Sequence, residues 1–533
     1  MTDRPTDDPL TYDTSPAVCW TRTNVAEVSP GVLTPLAWSF LGKLVDVSSR
    51  RGFCQLGAIP ASALRYPDDV DQHIMGVFHG RIALNVSVLR AMMSGFPGVS
   101  GDDVERDIVG SVRPGVVDAS YGWRGPAVVA KAGITLARSG RLAATVLAAT
   151  SVWWSARFGP GGIVDGTPPR QAMRETVAHF GDAIVAQSRN RMLFQGSSSQ
   201  VVALAEAAGH PELAATLLSG LGGLEEAAVA DDLHLLADGR MRLEEFVARH
   251  GYLGPDTGNL TTHTWREDPA PLERMAKALR DSGRQGSRHD EQARRRAVET
   301  VLAALPAVRR PAAKLALRMA PAAARSLERS KVAFVMSLDG ARASARALGA
   351  EMVAAGQLDE PDDTFFLFAE ELIEGVPDPR ALVARRRADF ARHEGIELTR
   401  TTWEGNPETR PLTPVQSSGS DEVTGIGASP GVVEGIVKVV LDAGANTDVE
   451  PDEILVCPTT DPSWVPLMLL AGALVIDIGS TASHGAIIAR ELGVPCVTGT
   501  TTGTTELRTG DRVRVDGGTG VVTVLERSGA AAG

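Results

Sequence analysis

A strand, a turn of small residues and a helix follow one another between residues 473 and 495, and this stretch limits the possible folds most strongly. The apolar run Ala473–Ile476 predicts a buried strand. Residues 486–492 predict a helix, because a glycine and then a proline follow it as stop signals. The intervening glycine, serines and threonine predict a turn. His484 is therefore expected at a helix N-terminus.

The position of His484 suits a particular chemistry. Unpaired backbone N–H groups and the positive end of the helix dipole favour a negative charge there. Imidazole is also a usable nucleophile near neutral pH, and the small neighbours Ser483 and Gly485 leave the ring open to a partner. The alternative is a histidine that only caps or packs the helix.

The stretch belongs to a longer pattern, with Gly-Ile-Gly-Ala-Ser-Pro-Gly at 425–431, Ile-Leu-Val-Cys-Pro-Thr-Thr-Asp-Pro at 454–462 and Gly-Asp-Arg-Val-Arg-Val-Asp-Gly at 510–517. Together these segments resemble the phosphohistidine swivelling domain of the phosphoenolpyruvate-utilising enzymes, such as phosphoenolpyruvate synthase, pyruvate phosphate dikinase and rifampin phosphotransferase. The resemblance implies that His484 is a phosphorylated carrier. Ala482 stands where the dikinases have a regulatory threonine, so regulation of that type is not expected.

Length and composition set the wider frame. A chain of 533 residues is too long for one core and predicts two or three domains. It has no apolar run of about eighteen residues and no signal peptide, so we expect a cytoplasmic protein without a membrane segment. The four cysteines lie far apart, which argues against a zinc site or a disulfide framework and predicts buried thiols.

Charge is unevenly distributed along the chain. The segment from residue 421 to the end has 15 acidic and 6 basic residues, whereas residues 269–331 have 15 basic and 6 acidic ones. The basic segment predicts a solvated helix face or a surface that attracts an acidic domain or phosphate. Nucleic-acid binding is not expected, because the whole chain is acidic and this segment has no interleaved aromatic residues.

The region before the swivelling domain is predicted to be mainly helical. Alanine- and leucine-rich segments with a period near 3.6 recur between about 125 and 400, whereas the glycine-rich residues 220–223 lack the Lys-Ser/Thr of a phosphate loop and predict a helix break. We therefore predict a multidomain protein in which a mostly α-helical substrate domain precedes a C-terminal β/α phosphohistidine swivelling domain. The predicted parts are a disordered lead-in at 1–15, a helical acceptor-substrate domain at 16–403, a flexible linker at 404–421 and the swivelling domain at 422–533.

Segments of the helical region resemble the substrate domain of rifampin phosphotransferases. They include residues 20–36, 80–90 and 246–255. The family pattern Arg-Glu-x-x-Lys is met in part, since Leu327 replaces its arginine. The resemblance and the polar residues within these segments give two sets of candidates: Lys331 and Arg329 beside His484 as catalytic residues, and Arg22, Arg81, Asn85, Glu328 and His250 as substrate-binding residues. Arg22, Arg81 and Asn85 suit either an anion site or buried hydrogen-bonded structure, and His250 and His79 are possible bases.

No nucleotide-binding pattern is found in this sequence. Because related full-length enzymes carry an ATP-grasp domain, the resemblance implies that ATP and Mg are bound by a separate ATP-grasp protein and that this chain binds no cofactor tightly. The function predicted is a phosphotransferase component that carries a phosphoryl group on His484 to a hydroxyl of a small organic acceptor. A non-catalytic binding or regulatory protein that retains the fold is the alternative.

Overall fold

The computed structural model describes residues 8–23, 25–26, 28–94, 99–116, 124–218, 225–254, 256, 258–282, 291–412, 419–441, 449–460, 464–480 and 483–528. The chain divides into two compact units. Unit 1 comprises Met1–Arg189, Thr257–Thr262 and Ala333–Pro414, and unit 2 comprises Asn190–Asp256, His263–Val332 and Val415–Gly533.

Helices dominate the chain as far as residue 394, and three more of the described helices lie beyond it. They are α1 (Pro35–Trp38), α2 (Val45–Leu56), α3 (Val86–Met93), α4 (Gly101–Val109), α5 (Gly125–Arg157), α6 (Pro169–Ala207), α7 (Ala214–Leu218), α8 (Glu225–Ala237), α9 (Leu243–His250), α10 (Ala270–Ser282), α11 (Glu291–Ala304), α12 (Arg310–Ala354), α13 (Ala369–Glu374), α14 (Pro379–Glu394), α15 (Val465–Leu470), α16 (His484–Leu492) and α17 (Gly503–Glu506).

Strands occur near the beginning of the chain and again towards its end. They are β1 (Cys19–Thr21), β2 (Met75–Phe78), β3 (Arg81–Asn85), β4 (Phe158–Gly159), β5 (Gly162–Ile163), β6 (Ile396–Leu398), β7 (Thr402–Glu404), β8 (Thr409–Pro411), β9 (Glu422–Thr424), β10 (Ile426–Ser429), β11 (Val432–Val439), β12 (Ile454–Cys457), β13 (Ala473–Ile476), β14 (Cys496–Thr498), β15 (Arg512–Asp516) and β16 (Val521–Glu526). The predicted order, a mostly helical region followed by a C-terminal region with a mixed sheet, is confirmed. The predicted helical periodicity lies in α6, α10, α11 and α12, whereas residues 220–223 lie outside the described residues.

Unit 1 contains a four-stranded antiparallel sheet in the order β2-β3-β1-β7. Trp20 on β1 is fully buried, and its ring centroid lies 5.1 Å from that of Phe78 on β2. A β-carbon on Gly76 would lie 2.4 Å from the Trp20 ring, so a glycine is needed where the indole crosses the neighbouring strand. The aromatic core of this sheet therefore depends on a residue without a side chain.

Residues 8–15 differ from the predicted disordered lead-in. Leu10 is 5% exposed, and the Tyr12 backbone N–H donates to the Val77 carbonyl at 2.8 Å. Asp8 accepts from the buried His393 Nε2 at 2.8 Å. Burial of Leu10 and pairing of Asp8 fix this segment against unit 1, and a reading from polar composition alone misses both contacts. Residues 1–7 lie outside the described residues.

Unit 2 contains an eight-stranded mixed sheet in the order β10-β14-β13-β12-β11-β15-β16-β9. Strands β11, β12, β13 and β14 are parallel, and the remaining pairings are antiparallel. Paired residues of neighbouring strands point to the same face. Val456, Val475 and Val497 accordingly share a buried cluster on one face, while Cys457, Ile476 and Thr498 point to the other.

Two further apolar groups belong to unit 2. One joins the end of α6 to α7, α11 and the start of α12, and its centre includes the fully buried Val201 and Val301. In the other, α15 packs against α8 and α10, and all six α15 residues are buried. Part of the helical region and the sheet thus share one compact unit.

The segment predicted as a flexible linker, 404–421, contains paired backbone. β7 pairs with β1, and β8 pairs with β6, both within unit 1. Residues 413–418 lie outside the described residues, and the division between units falls after Pro414. A tether between two domains at this place stays a prediction.

Among the residues that the structure describes, no helix combines the length and the apolar character that crossing a membrane requires.

Candidate functional site

The site is built at the carboxyl edge of the parallel strands of unit 2. β12, β13 and β14 end side by side, because Cys457 is in register with Ile476 and Ile476 with Thr498. The chain after β13 turns back into α16, whose first residue is His484. Ligand sites in parallel sheets form at this edge. The predicted strand Ala473–Ile476 is confirmed.

The start of α16 is capped, as the sequence of small polar residues favours. The Ser483 Oγ accepts from the Ala486 backbone N–H at 3.4 Å, and the helix ends at Gly493 with a φ of 68°. The backbone of His484 thus occupies the first helical turn, where N–H groups without an intrahelical acceptor point outward. The backbone position predicted for His484 is confirmed, although the helix begins two residues earlier than residue 486.

Two glycines allow close packing around this helix start. A β-carbon on Gly485 would lie 2.5 Å from both Ile476 Cδ1 and Thr460 Oγ1. A β-carbon on Gly479 would lie 2.2 Å from Thr498 Oγ1. Threonine hydroxyls from the ends of β12 and β14 therefore face the backbone that leads into His484. The structural reason for these glycines is close contact with the side chains of Thr460, Ile476 and Thr498.

Asp477 steadies the turn from the strand side. Its Oδ1 accepts from the Thr500 Oγ1 at 2.7 Å, and its Oδ2 accepts from the Thr504 backbone N–H at 3.2 Å. Because this carboxylate is engaged by hydroxyl and amide donors, it holds the β14–α17 loop against the end of β13. Sequence reasoning missed Thr460, Asp477 and Thr498; the signal was a polar residue at or shortly after the end of each of three apolar strands.

The cysteines near this edge are not candidate nucleophiles. Burial raises the pKa of the Cys496 thiol to about 12 and raises that of Cys457 well above its usual value. The thiol form is therefore dominant near neutral pH. The prediction of buried thiols is confirmed for Cys19, Cys457 and Cys496, while Cys54 is partly exposed. Among the described residues, no group of three or more histidine, cysteine, aspartate or glutamate side chains could hold a metal ion.

Arg22 and Arg81, both predicted to bind substrate, interact in unit 1. Burial lowers the pKa of Arg22 to about 10, and the charge of Arg81 lowers it too. Arg22 donates to the Pro30 carbonyl through Nη2 at 2.7 Å, while its buried Nε has no hydrogen-bond partner. Neither arginine forms an ion pair with a described carboxylate. Two adjacent cations with an unused donor favour an anion.

Arg81 differs from Arg22 because both of its terminal nitrogens donate hydrogen bonds to backbone carbonyls. Its Nη1 donates to the carbonyls of His79 and His393 at 3.0 Å each, and its Nη2 donates to the Ile396 carbonyl at 2.5 Å. Arg81 thus joins β3 to the end of α14, a structural task. Arg22 is the member of the pair with an unused hydrogen-bond donor, its Nε.

Asn85 is buried and engaged at both ends of its amide. Its Oδ1 accepts from the Val88 backbone N–H at 3.0 Å and so caps α3, and its Nδ2 donates to the Asp71 carbonyl at 2.9 Å. These contacts match the buried hydrogen-bonded alternative left open by the sequence.

His250 ends α9 in unit 2 and is oriented by a carboxylate. Its Nε2 lies 2.9 Å from Asp232 Oδ2 on α8, and the same carboxylate accepts from Arg249 Nη1 at 3.1 Å. A histidine held by a carboxylate has a fixed ring orientation, which a general base needs and which a structural ion pair also gives. Asp232 was not among the predicted residues.

The remaining candidates lie on one stretch of α12. Glu328, Arg329 and Lys331 are all partly buried there. Glu328 and Lys331 share a helix face because they are three residues apart. Ser330 between them faces α6, where the Asn190 Nδ2 donates to the Ser326 carbonyl at 3.0 Å and to Ser330 Oγ at 3.5 Å. The seven sequence-predicted side chains other than His484 thus divide into three in unit 1 and four in unit 2.

Comparison with known proteins adds the family. Residues 449–520 match the family described as PEP-utilising enzyme, mobile domain, and residues 197–329 match the Rifampicin phosphotransferase fourth domain. The predicted resemblance to the phosphoenolpyruvate-utilising enzymes is confirmed. His484 lies within the first matched segment, and Glu328 and Arg329 close the second.

Individual relatives agree with this assignment. The chain is 36% identical over 237 residues to an uncharacterized protein of Mycobacterium tuberculosis, covering 43% of this chain and 28% of that protein. It is 33% identical over 194 residues to the uncharacterized phosphotransferase YvkC of Bacillus subtilis, covering 34% and 23%. It is 32% identical over 344 residues to a rifampicin phosphotransferase of a Streptomyces species, covering 59% and 38%. The chain therefore spans well under half the length of these relatives, two of which are named phosphotransferases.

Proposed function

We propose that this chain is a phosphotransferase component in which His484 carries a phosphoryl group from ATP, bound on a separate ATP-grasp protein, to a hydroxyl of a small organic acceptor. The observation that carries the proposal is the placement of His484 at the first turn of α16, within the segment that matches the mobile domain. The phosphotransferase names of the relatives support the reaction class.

The first half-reaction makes a phosphorus–nitrogen bond on the imidazole. A ring nitrogen of His484 attacks the phosphorus, and the bond from that phosphorus to the nucleotide oxygen breaks. In rifampin phosphotransferase chemistry the attack is at the β-phosphorus and AMP leaves; water then cleaves the bond between the β- and γ-phosphoryl groups and releases inorganic phosphate, so that the β-phosphoryl stays on His484. The N–H groups at the start of α16 favour the new negative charge, so the intermediate is stabilised where it forms.

The second half-reaction transfers the group to the acceptor. The acceptor oxygen bonds to phosphorus, the phosphorus–nitrogen bond breaks, and a base takes the hydroxyl proton. His250 is the candidate base because Asp232 orients it. Lys331 and Arg329 supply positive charge for the phosphoryl oxygens. Leu327 removes one cation from the family pattern; Arg325 or Arg329 replaces it, the acceptor differs, or activity is impaired.

The test mixes the pure chain with ATP-grasp proteins and with β- or γ-labelled ATP, and then adds candidate acceptors. We expect label on the chain, its loss when the correct acceptor is added, and no labelled product from His484→Ala. His210→Ala is the matched control, since His210 is a surface histidine of the same unit paired only with the exposed Glu212. Product made by His484→Ala at the unmodified rate would show that His484 is not the carrier. Absence of label and of product with the unmodified chain would favour a non-catalytic role for the fold.

A further inference from the structure

Arg189 is a buried cation whose charge the fold leaves unpaired. It lies on α6 in unit 1, is 5% exposed, and donates from Nη1 to the Gln55 Oε1 at 3.1 Å. Its Nε and Nη2 are buried without a hydrogen-bond partner, and no described carboxylate forms an ion pair with it. Burial lowers the pKa of Arg189, with no contribution from a neighbouring charge. Buried arginines are almost always paired, since desolvation costs several kcal/mol per ion.

The two unused nitrogens are those that a single oxyanion can bridge. Nε–H and one Nη2–H leave the same edge of the planar guanidinium in parallel, which matches the spacing of two oxygens of a carboxylate or phosphate. Gln55 holds the third nitrogen, so the plane of the group is fixed before any ligand arrives. If Gln55 bound Nε or Nη2 in place of Nη1, the two N–H groups of this edge would not both be available to a ligand.

The surroundings of Arg189 are rigid and close to the surface. α2 approaches α6 at Gly52, where an added β-carbon would lie 3.0 Å from the Val185 carbonyl oxygen. The Ser188 Oγ also donates to the Ser49 Oγ of α2 at 2.8 Å. Gln55, by contrast, is exposed. The guanidinium is therefore buried next to an exposed side chain, in a setting where an ionic contact is stronger than in water.

We propose that the Nε–Nη2 edge of Arg189 is a binding site for the oxyanion of a ligand, a carboxylate or phosphate group, which reaches the edge past the exposed Gln55 side chain while Gln55 keeps its hydrogen bond to Nη1. The site is independent of His484, and it holds whether or not the chain transfers phosphoryl groups.

The experiment follows the thermal unfolding midpoint of the full chain in inorganic phosphate and in acetate, against sodium chloride of equal ionic strength. We expect at least one of the two anions to raise the midpoint in a saturable way, and the more effective one identifies the group recognised. Arg189→Lys keeps the charge but loses the bidentate edge, so its dissociation constant should be at least about tenfold weaker. Arg189→Leu should lose the anion-dependent increment entirely.

Arg174→Leu is the matched control, because it removes one charge from an exposed position on the same helix. It should keep the full increment. Equal increments in the unmodified chain and in both Arg189 variants would overturn the proposal, as would the absence of any increment beyond that of chloride in the unmodified chain. Arg189→Lys separates the outcomes if Arg189→Leu does not fold.

Discussion

The start of α16 in unit 2 and the pair Arg22–Arg81 in unit 1 both favour negative groups, but they do so by different means. At α16 the side chains that contact the backbone, those of Thr460, Ser483 and Thr498, are uncharged, and the carboxylate of Asp477 beside the turn is negative, so the favourable potential comes from the helix N-terminus. At the arginine pair the potential comes from two side chains whose mutual repulsion and burial must be offset by hydrogen bonds.

Because the two sites attract anions by different means, different substitutions are expected to disrupt them. A backbone site fails when sterics displace the backbone, whereas a side-chain site fails when a donor is lost. It also implies that one arginine of the pair can be structural while the other remains available. The following substitutions are designed to separate these possibilities.

The largest effect on stability is expected from Arg81→Met. Three carbonyls, the buried one of His393 and the partly buried ones of His79 and Ile396, lose their donor, so the free energy of unfolding should fall by at least about 2 kcal/mol. Denaturant unfolding measures this change. An unaltered free energy of unfolding would mean that the three hydrogen bonds do not hold β3 to α14.

Gly479→Ala tests the backbone site. The new β-carbon would lie 2.2 Å from Thr498 Oγ1, so we expect a loss of about 1–3 kcal/mol and a larger loss of transfer by His484. Thr498→Ala removes the obstructing hydroxyl and should restore most of both losses in the double variant. If the two single effects simply add, the contact with Thr498 is not the reason for the glycine.

Asp8→Asn tests an ion pair of unit 1 through pH. Burial alone would raise the pKa of Asp8, but hydrogen bonds from His393 and the Leu10 backbone N–H and the charges of His393 and Arg392 lower it to about 2, from 3.8. A lowered carboxyl pKa stabilises the fold above the unfolded value, and that stability is lost as pH falls towards 2. The variant should be about 1–2 kcal/mol less stable at pH 6, after allowance for solvent screening, with the difference shrinking below pH 4. A difference independent of pH would contradict the pairing.

The smallest stability effect is expected from Arg22→Met, the matched partner of Arg81→Met. It removes one hydrogen bond, to Pro30, and relieves the repulsion with Arg81, so the free energy of unfolding should change by no more than about 0.5 kcal/mol. Destabilisation as large as that of Arg81→Met would make both arginines structural.

The local sequence pattern was sufficient to predict the backbone structure around His484 at the edge of the sheet. The strand Ala473–Ile476, the stop at Gly493 and the helix start all depend on residues within about twenty positions, and each was predicted from apolar runs and small residues. The side chains that surround the turn were not, because Thr460 and Thr498 reach it only through the parallel pairing of β12, β13 and β14.

The limit of prediction from local sequence is clearer in unit 1. Arg81 and His393 are 312 positions apart, and Asp8 and His393 are 385 apart, so no local pattern indicates either contact. Because the partners of residues 8–15 are also far away in the sequence, the local pattern there predicts a disordered lead-in. Sequence could select Arg22 and Arg81 as polar residues among apolar ones, but only the fold shows which of them has an unused donor.

The central claim, that His484 itself carries the phosphoryl group, is tested most directly by the chemistry of the labelled bond. The chain labelled from ATP is exposed briefly to acid or to base before the protein-bound label is counted. We predict loss of label in acid and retention in base, as a phosphorus–nitrogen bond requires, and no label on His484→Ala. Label that survives acid, or that persists on His484→Ala, would place the group on a hydroxyl such as Ser483 and contradict the account.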